Sequence, residues 1–202
     1  MPAKRGRPAG NAADGDNKEK IIRAVVALIK KDGAGTLTVR QVCKAADVSI
    51  GTFYHYFQNK DDLLMYFVRE ESFAKIELWT PLTDFAGRIT ELYMYLVRKY
   101  QKLGRAFMCK FYTTDNMALS AYLCSENNAF LQGTVMARCQ QEAELARQQA
   151  ILRLDIDTFQ LSQDICTIVK GCVFEYNLTN EKMDLEGTLR RILERYIAGY
   201  MK

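Results

Sequence analysis

TVRQVCKAADVSIGTFYHYFQNK, from Thr38 to Lys60, decides the fold. Thr38 with Gln41 three residues later forms a capping box, which opens a short helix through Ala45. Ala46-Asp47-Val48 is long enough only for a tight turn, and Ser49 is the cap of a second short helix. Two capped helices joined by three residues are the geometry of a helix-turn-helix. Val39, Val42, Cys43, Ala46, Val48 and Phe53 supply its small core. Ser49, Ile50, Thr52, Tyr54 and His55 stand on the outer face of the second helix. Hydroxyls, a phenol and an imidazole without a carboxylate suit phosphate oxygens and base edges in a major groove.

Helical spacing recurs on both sides of this stretch. A capping box at Asp16 and Glu19 predicts a helix ended by Asp32-Gly33-Ala34-Gly35. Asn59-Lys60-Asp61-Asp62 predicts a cap for a helix running to about Trp79. Thr80-Pro81 reads as an N-cap followed by proline at the first helical position, opening a helix to about Gly104. Gln140 to Ala150 reads as a polar, solvated helix. Asp157 with Gln160 opens a helix to about Leu178, and Asp184 opens the last one. Alternating strand patterns are absent, so the class is all-α.

Charge agrees with a polyanion partner at one end. Residues 1–60 hold eleven Lys/Arg against five Asp/Glu, a net +6, whereas the rest holds 17 against 19. The longest apolar run, Ala24 to Ile29, is six residues where a membrane span needs about twenty. With no apolar stretch behind MPAKRGRPAG, the expected location is cytoplasmic, with reduced thiols. Cys166 and Cys172, the closest cysteines, stand about 9 Å apart along a helix, beyond disulfide reach. The motifs GxGxxG, GxxxxGK[ST], HExxH and GxSxG are all absent. A single histidine makes no triad or metal cluster. The expectation is a protein that is not an enzyme, with no cofactor and no metal.

At Val48-Ser49-Ile50-Gly51-Thr52-Phe53-Tyr54-His55-Tyr56-Phe57-Gln58-Asn59-Lys60 the chain resembles the DNA-binding domain of the TetR family of bacterial regulators, over about residues 17–65. Asp47 stands where that family's turn usually has glycine, and Cys43 where alanine is usual. Aspartate tolerates a left-handed backbone, while the larger Cys43 crowds a tight helix contact. The resemblance implies a flexible basic arm at 1–16, a DNA-binding domain at 17–64 and a ligand-binding and dimerisation domain at 65–202. It implies that Thr38, Arg40 and Lys60 meet phosphate, and that Ser49, Ile50, Gly51, Thr52, Tyr54 and His55 lie against bases or backbone. Arg5 and Arg7, in Lys4-Arg5-Gly6-Arg7-Pro8, resemble hooks that lie in A·T-rich minor grooves.

Residues 79–136 carry ten of the chain's 22 aromatics and four of its eight methionines. Such density suits an apolar pocket between helices. The resemblance implies an effector pocket in this half, for which Trp79, Tyr93, Met94, Phe107, Phe111, Tyr122, Phe130 and Phe174 are the candidates. It also implies pairing of the last two helices into a dimer interface, through Ile165, Val169, Val173, Leu189, Ile192, Leu193 and Tyr196. The expected protein is a homodimeric repressor on a palindromic DNA operator, released by a small apolar or aromatic effector. The alternatives are a DNA-bound adaptor whose larger domain takes a protein partner, and a thiol-based redox regulator.

Overall fold

A computed structural model describes residues 12–32, 37–69, 73–102, 105, 108–109, 119 and 129–202. The described residues form eight α-helices and no strand beyond isolated bridges, one of them between Leu152 and Met201. In chain order they are α1 (Ala12–Asp32), α2 (Val39–Ala46), α3 (Ile50–Tyr56), α4 (Lys60–Arg69), α5 (Phe85–Lys102), α6 (Val135–Gln148), α7 (Thr158–Leu178) and α8 (Leu185–Ile197). Single 3₁₀ turns lie at Phe73–Lys75 and Ala198–Tyr200.

The N-terminal head packs α1 across α2 and α3. Ile21, Val25 and Ile29 recur at four-residue steps on α1 and are buried against Val42, Ala46, Phe53 and Phe57. The helix begins at Ala12, so Asp16 is not its cap. Asp16 instead pairs with Lys20 one turn on, at 2.6 Å. Leu63, Leu64 and Met65 of α4 complete the head's core, with the Phe57 and Tyr66 rings edge to face at 5.9 Å.

The body is a bundle of α5 to α8, in which α6 packs on α7, and α8 packs on both α5 and α7. Ala143 and Ala146, both fully buried, keep the α6 surface low, so α7 comes close. Asp84 ties α5 to α8 through Arg190 at 2.8 Å, and Arg98 does the same through Glu186. The chain's end clasps the loop between α6 and α7: Arg153 N–H donates to Tyr200 O at 2.9 Å and Lys202 N–H to Ile151 O at 3.1 Å.

Three further helix expectations are corrected. The helix that begins at Lys60 ends at Arg69, not near Trp79. Residues 73–80 beyond it form a strap, one 3₁₀ turn followed by irregular backbone, most of whose outward backbone bonds go to side chains of α5 and α6. Next, α5 begins at Phe85, because Asp84 rather than Thr80 accepts from the first free N–H groups, with Gly87 N–H donating to Asp84 Oδ1 at 3.0 Å. The stretch from Gln140 is not a wholly solvated helix, since Glu142, Ala143 and Ala146 are buried. The Asp157 and Asp184 caps are present, although Gln160 turns to Asp164 rather than back to its cap.

Candidate nucleic-acid interface

The helix-turn-helix is built by its caps. Gln41 N–H donates to Thr38 Oγ1 at 3.3 Å, and Thr38 N–H donates back to Gln41 Oε1 at 3.0 Å. Asp47 ends α2 in the left-handed region at φ 53°, and its own N–H reaches Cys43 O. That is the conformation a glycine normally supplies, adopted here by a residue whose short polar side chain tolerates it. Val48 N–H closes the turn on Cys43 O at 3.0 Å. Cys43 is buried in the contact, and its Sγ–H points to Ser49 O at 3.8 Å, so the larger side chain bridges α2 to the cap of α3. Burial pushes its thiol pKa up, leaving it protonated and a poor nucleophile.

Ser49 caps α3 by accepting from Thr52 N–H at 2.9 Å, and the two hydroxyls pair at 2.8 Å. Both are therefore engaged in shaping the helix start. The outer face next to them carries Ile50, 47% exposed, and Tyr54 one turn on, 54% exposed. His55 is also exposed, its ring edge-on to Tyr56 at 4.9 Å. Gly51 faces open space, with only Ser49 Oγ near where a Cβ would stand, so another backbone can approach closely there. Phe53 on the opposite side is fully buried. The short helix thus sorts its residues cleanly into core and solvent.

Exposed cations lie on the two neighbouring helices. Arg40 and Lys44 are exposed on α2, and Lys60 is exposed at the first position of α4. Asn59 Oδ1 caps α4 by accepting from Asp61 and Asp62 N–H at 2.9 and 2.8 Å. The Asp62 carboxylate turns back to Gln58 N–H at 3.1 Å. Lys44 was not singled out from sequence, although its place one turn beyond Arg40 on a helix was visible there. Arg5 and Arg7 lie outside the described residues.

The body places its candidates apart. Tyr93 and Met94 are buried on α5, and the Tyr93 hydroxyl has no nitrogen or oxygen partner among the described residues. Burial pushes its pKa well up, as do the facing thiols of Cys139 and Cys166. Phe130 is buried and stacks on Phe159 at 4.7 Å. Trp79 stands 86% exposed and Phe174 58% exposed, so neither lines the enclosed space expected of it within one chain. Phe107, Phe111 and Tyr122 lie outside the described residues. A groove of about 620 Å³ runs along the outer side of α6, its walls including Phe130, Ala137, Gln141, Glu144 and Leu145. The sequence reading of this helix as wholly solvated arose because its charges and glutamines masked the small residues Ala143 and Ala146 that bury its inner side.

The expected dimer interface also needs correction. Ile165, Val169, Val173, Leu189 and Leu193 are all buried within the single chain, where they form the core between α5, α7 and α8. Only Ile192 and Tyr196 of that set are half-buried, and Tyr196 donates to Asp164 at 2.7 Å. What α7 leaves open is a different stripe, with Thr167, Gly171, Phe174 and Leu178 exposed at three- and four-residue steps.

Among the described residues no group of three or more His, Cys, Asp or Glu could hold a metal ion. No described helix is long and apolar enough to cross a membrane. Burial pushes Cys139 up to about 12 and raises Cys166 and Cys172.

The family model described as "Bacterial regulatory proteins, tetR family" matches residues 21–66, from α1 into α4. The chain is 33% identical over 78 residues to the HTH-type transcriptional repressor KstR of Mycolicibacterium smegmatis, covering 39% of this chain and 38% of that protein. It is 39% identical over 59 residues to the transcriptional regulator AcuR of Cereibacter sphaeroides, covering 29% and 27%. The match therefore spans only 27% to 38% of the length of these curated relatives. Its fold is shared over far more of the chain. Salmonella enterica GusR superposes with a TM-score of 0.60 at 18% identity, covering 96% of this chain and 100% of that one. A SmeT–triclosan complex superposes with a TM-score of 0.58 at 20% identity, covering 92% of each. The capped helix-turn-helix lies within the stretch, residues 21–66, that matches the bacterial regulatory proteins of the tetR family, and the all-helical fold is shared with solved structures such as GusR.

Proposed function

We propose that the chain is a homodimeric, effector-responsive repressor acting on a palindromic operator in the cytoplasm. The observation that carries this is the outer face of α3, where Ile50, Gly51, Tyr54 and His55 are exposed, with the exposed cations Arg40 and Lys44 on α2 and Lys60 at the start of α4. Such a face offers phosphate contacts for position and base-edge contacts for sequence. Arg5 and Arg7 extend the contact into a flanking minor groove. The exposed Gly171, Phe174 and Leu178 stripe supplies an apolar surface for a second copy, and a dimer places two recognition helices on two half-sites. The groove beside Phe130 offers room for a small apolar or aromatic effector. The SmeT structure holds triclosan, which supports a small-molecule role for this fold without identifying this chain's ligand. An effector that prefers a conformer with mismatched recognition helices releases the operator by population shift.

A second reading is favoured by one observation. Trp79 stands open beside Ile76, Leu78 and Tyr95 along a groove of about 420 Å³, which suits a protein partner. Selection of duplexes from a random pool by the full chain tests the first reading. The expected result is a palindromic sequence bound by a species of twice the 23.1 kDa chain mass. Small aromatic compounds should then release it. A sequence-independent monomer would overturn the proposal, and release by a protein alone would favour the second reading.

A further inference from the structure

The most heavily buried charge among the described residues belongs to Glu142, 1% exposed in the middle of α6. Its two oxygens are held by two guanidiniums: Arg88 Nε of α5 donates to Oε2 at 2.7 Å, and Arg138 Nε of α6 donates to Oε1 at 2.7 Å. Two cations on one anion leave a net positive charge in a place with little water. The counterweight is backbone. Arg88 Nη1 donates to Leu78 O at 3.2 Å and Thr80 O at 2.6 Å, while Arg138 Nη1 donates to Phe73 O at 3.2 Å and Ala74 O at 2.8 Å. All four carbonyls belong to the strap 73–80, which begins four residues beyond Arg69, the last of α4.

The strap is held along its other edge too. Glu91 accepts from Trp79 N–H at 2.9 Å and Thr80 N–H at 2.8 Å, and Phe73 N–H donates to Gly133 O at 2.9 Å in the turn before α6. Burial pushes the Glu91 carboxyl up, but those N–H groups and Arg88 outweigh it and hold it below the usual carboxylate range. A buried triad is a poor way to gain stability, because apolar residues of similar volume serve as well or better. What apolar residues lack is the ability to grip four carbonyls at fixed positions. Meanwhile Ala137, Gln141 and Leu145, on the same helix as Arg138 and Glu142, line the groove on its outer side. One helix therefore carries the groove wall and the strap's anchor on adjoining faces, Ala137 beside Arg138 and Gln141 beside Glu142.

We propose that the Arg88–Glu142–Arg138 triad is the joint that positions the DNA-binding head, relaying to the strap below α4 any shift of α6 made at the groove. Glu142 is a positioning residue in this account, since it touches no DNA. The inference rests on the operator-binding reading above.

The test uses the full chain with all three residues changed to Met, which keeps the volume filled and removes the grip. Amide exchange is followed in the strap and in α5. Affinity is measured for the duplex that the wild type selects from a random pool, and for a scrambled duplex. The strap amides should exchange about tenfold faster or more with α5 still protected. The ratio of selected to scrambled affinity should fall about tenfold while the melting temperature is kept. A purely structural triad would leave that ratio unchanged, so a folded triple variant with the wild-type ratio overturns the joint. Unchanged strap exchange overturns it as well. If the triple variant does not fold, Arg138→Lys replaces it, because one ammonium cannot span Glu142 and two carbonyls. The same directions are then expected, and wild-type behaviour overturns the proposal. A wild type that selects no duplex at all removes the DNA-binding reading, and the joint with it; that failure shows in the wild type alone.

Discussion

The head and the body of this chain are both helical, yet they are specified differently. In the head, each short element is fixed locally: Thr38 caps α2, Asp47 turns it, Ser49 caps α3 and Asn59 caps α4. In the body, the decisive contacts join residues far apart in the chain. Arg88 and Glu142 are separated by 54 positions, and Asp84 and Arg190 by 106. Local rules are therefore enough to specify the helix-turn-helix, while the body is held by long-range polar ties.

If that contrast is right, single changes in the body should cost most where they break such a tie. Glu142→Ala strands two guanidiniums away from water, and unfolding free energy should drop by about 3–5 kcal/mol. Denaturant unfolding checks it, and a loss below about 1 kcal/mol would mean that water reaches the triad.

Ile165→Ala and Phe174→Ala separate core from interface. The Ile165 side chain is fully buried, so its truncation should cost about 2–5 kcal/mol of protomer stability. Phe174→Ala should leave the protomer's thermal unfolding nearly unchanged and weaken self-association in sedimentation. The reverse pattern would restore the buried stripe as the contact between copies.

In the head, Asp47→Val places a β-branched residue in the left-handed region and should cost about 1–2 kcal/mol, whereas Asp47→Gly should be neutral or slightly stabilising. Thermal melts of the two variants sharpen the local side of the comparison.

The smallest expected effect is on the strap in acid. The Glu91 pKa is held below its ordinary 4.5, so its contribution is complete above that value and is lost as pH falls through the lower folded pKa. Fluorescence of Trp79, the chain's only tryptophan, should change in that acid window, and Glu91→Gln should abolish the transition.

How much was legible in the sequence follows the same division. The turn at Asp47, both caps and the outward set Ile50, Tyr54 and His55 were readable because they depend on neighbours within four residues. The end of α4 was not, because 73–80 leaves helical geometry to meet Arg88, Arg138 and Glu91, none of which is local. The interface residues were misjudged for a related reason. An apolar stripe shows that something covers it, but not whether the cover is α5 of the same chain or another copy. Here the first cover is the chain's own.

Everything proposed for this chain depends on the face of α3, with the exposed cations of α2 and α4, binding DNA. A salt titration of the wild type, Lys60→Ala and Tyr54→Phe on the selected duplex and on a scrambled one tests it most directly. Lys60→Ala should weaken both duplexes alike and reduce the salt slope by about one per subunit contact. Tyr54→Phe should cost about 1–2 kcal/mol per half-site on the selected duplex and leave the scrambled one unchanged. Wild-type affinity and slope in both variants would contradict the assignment of this face.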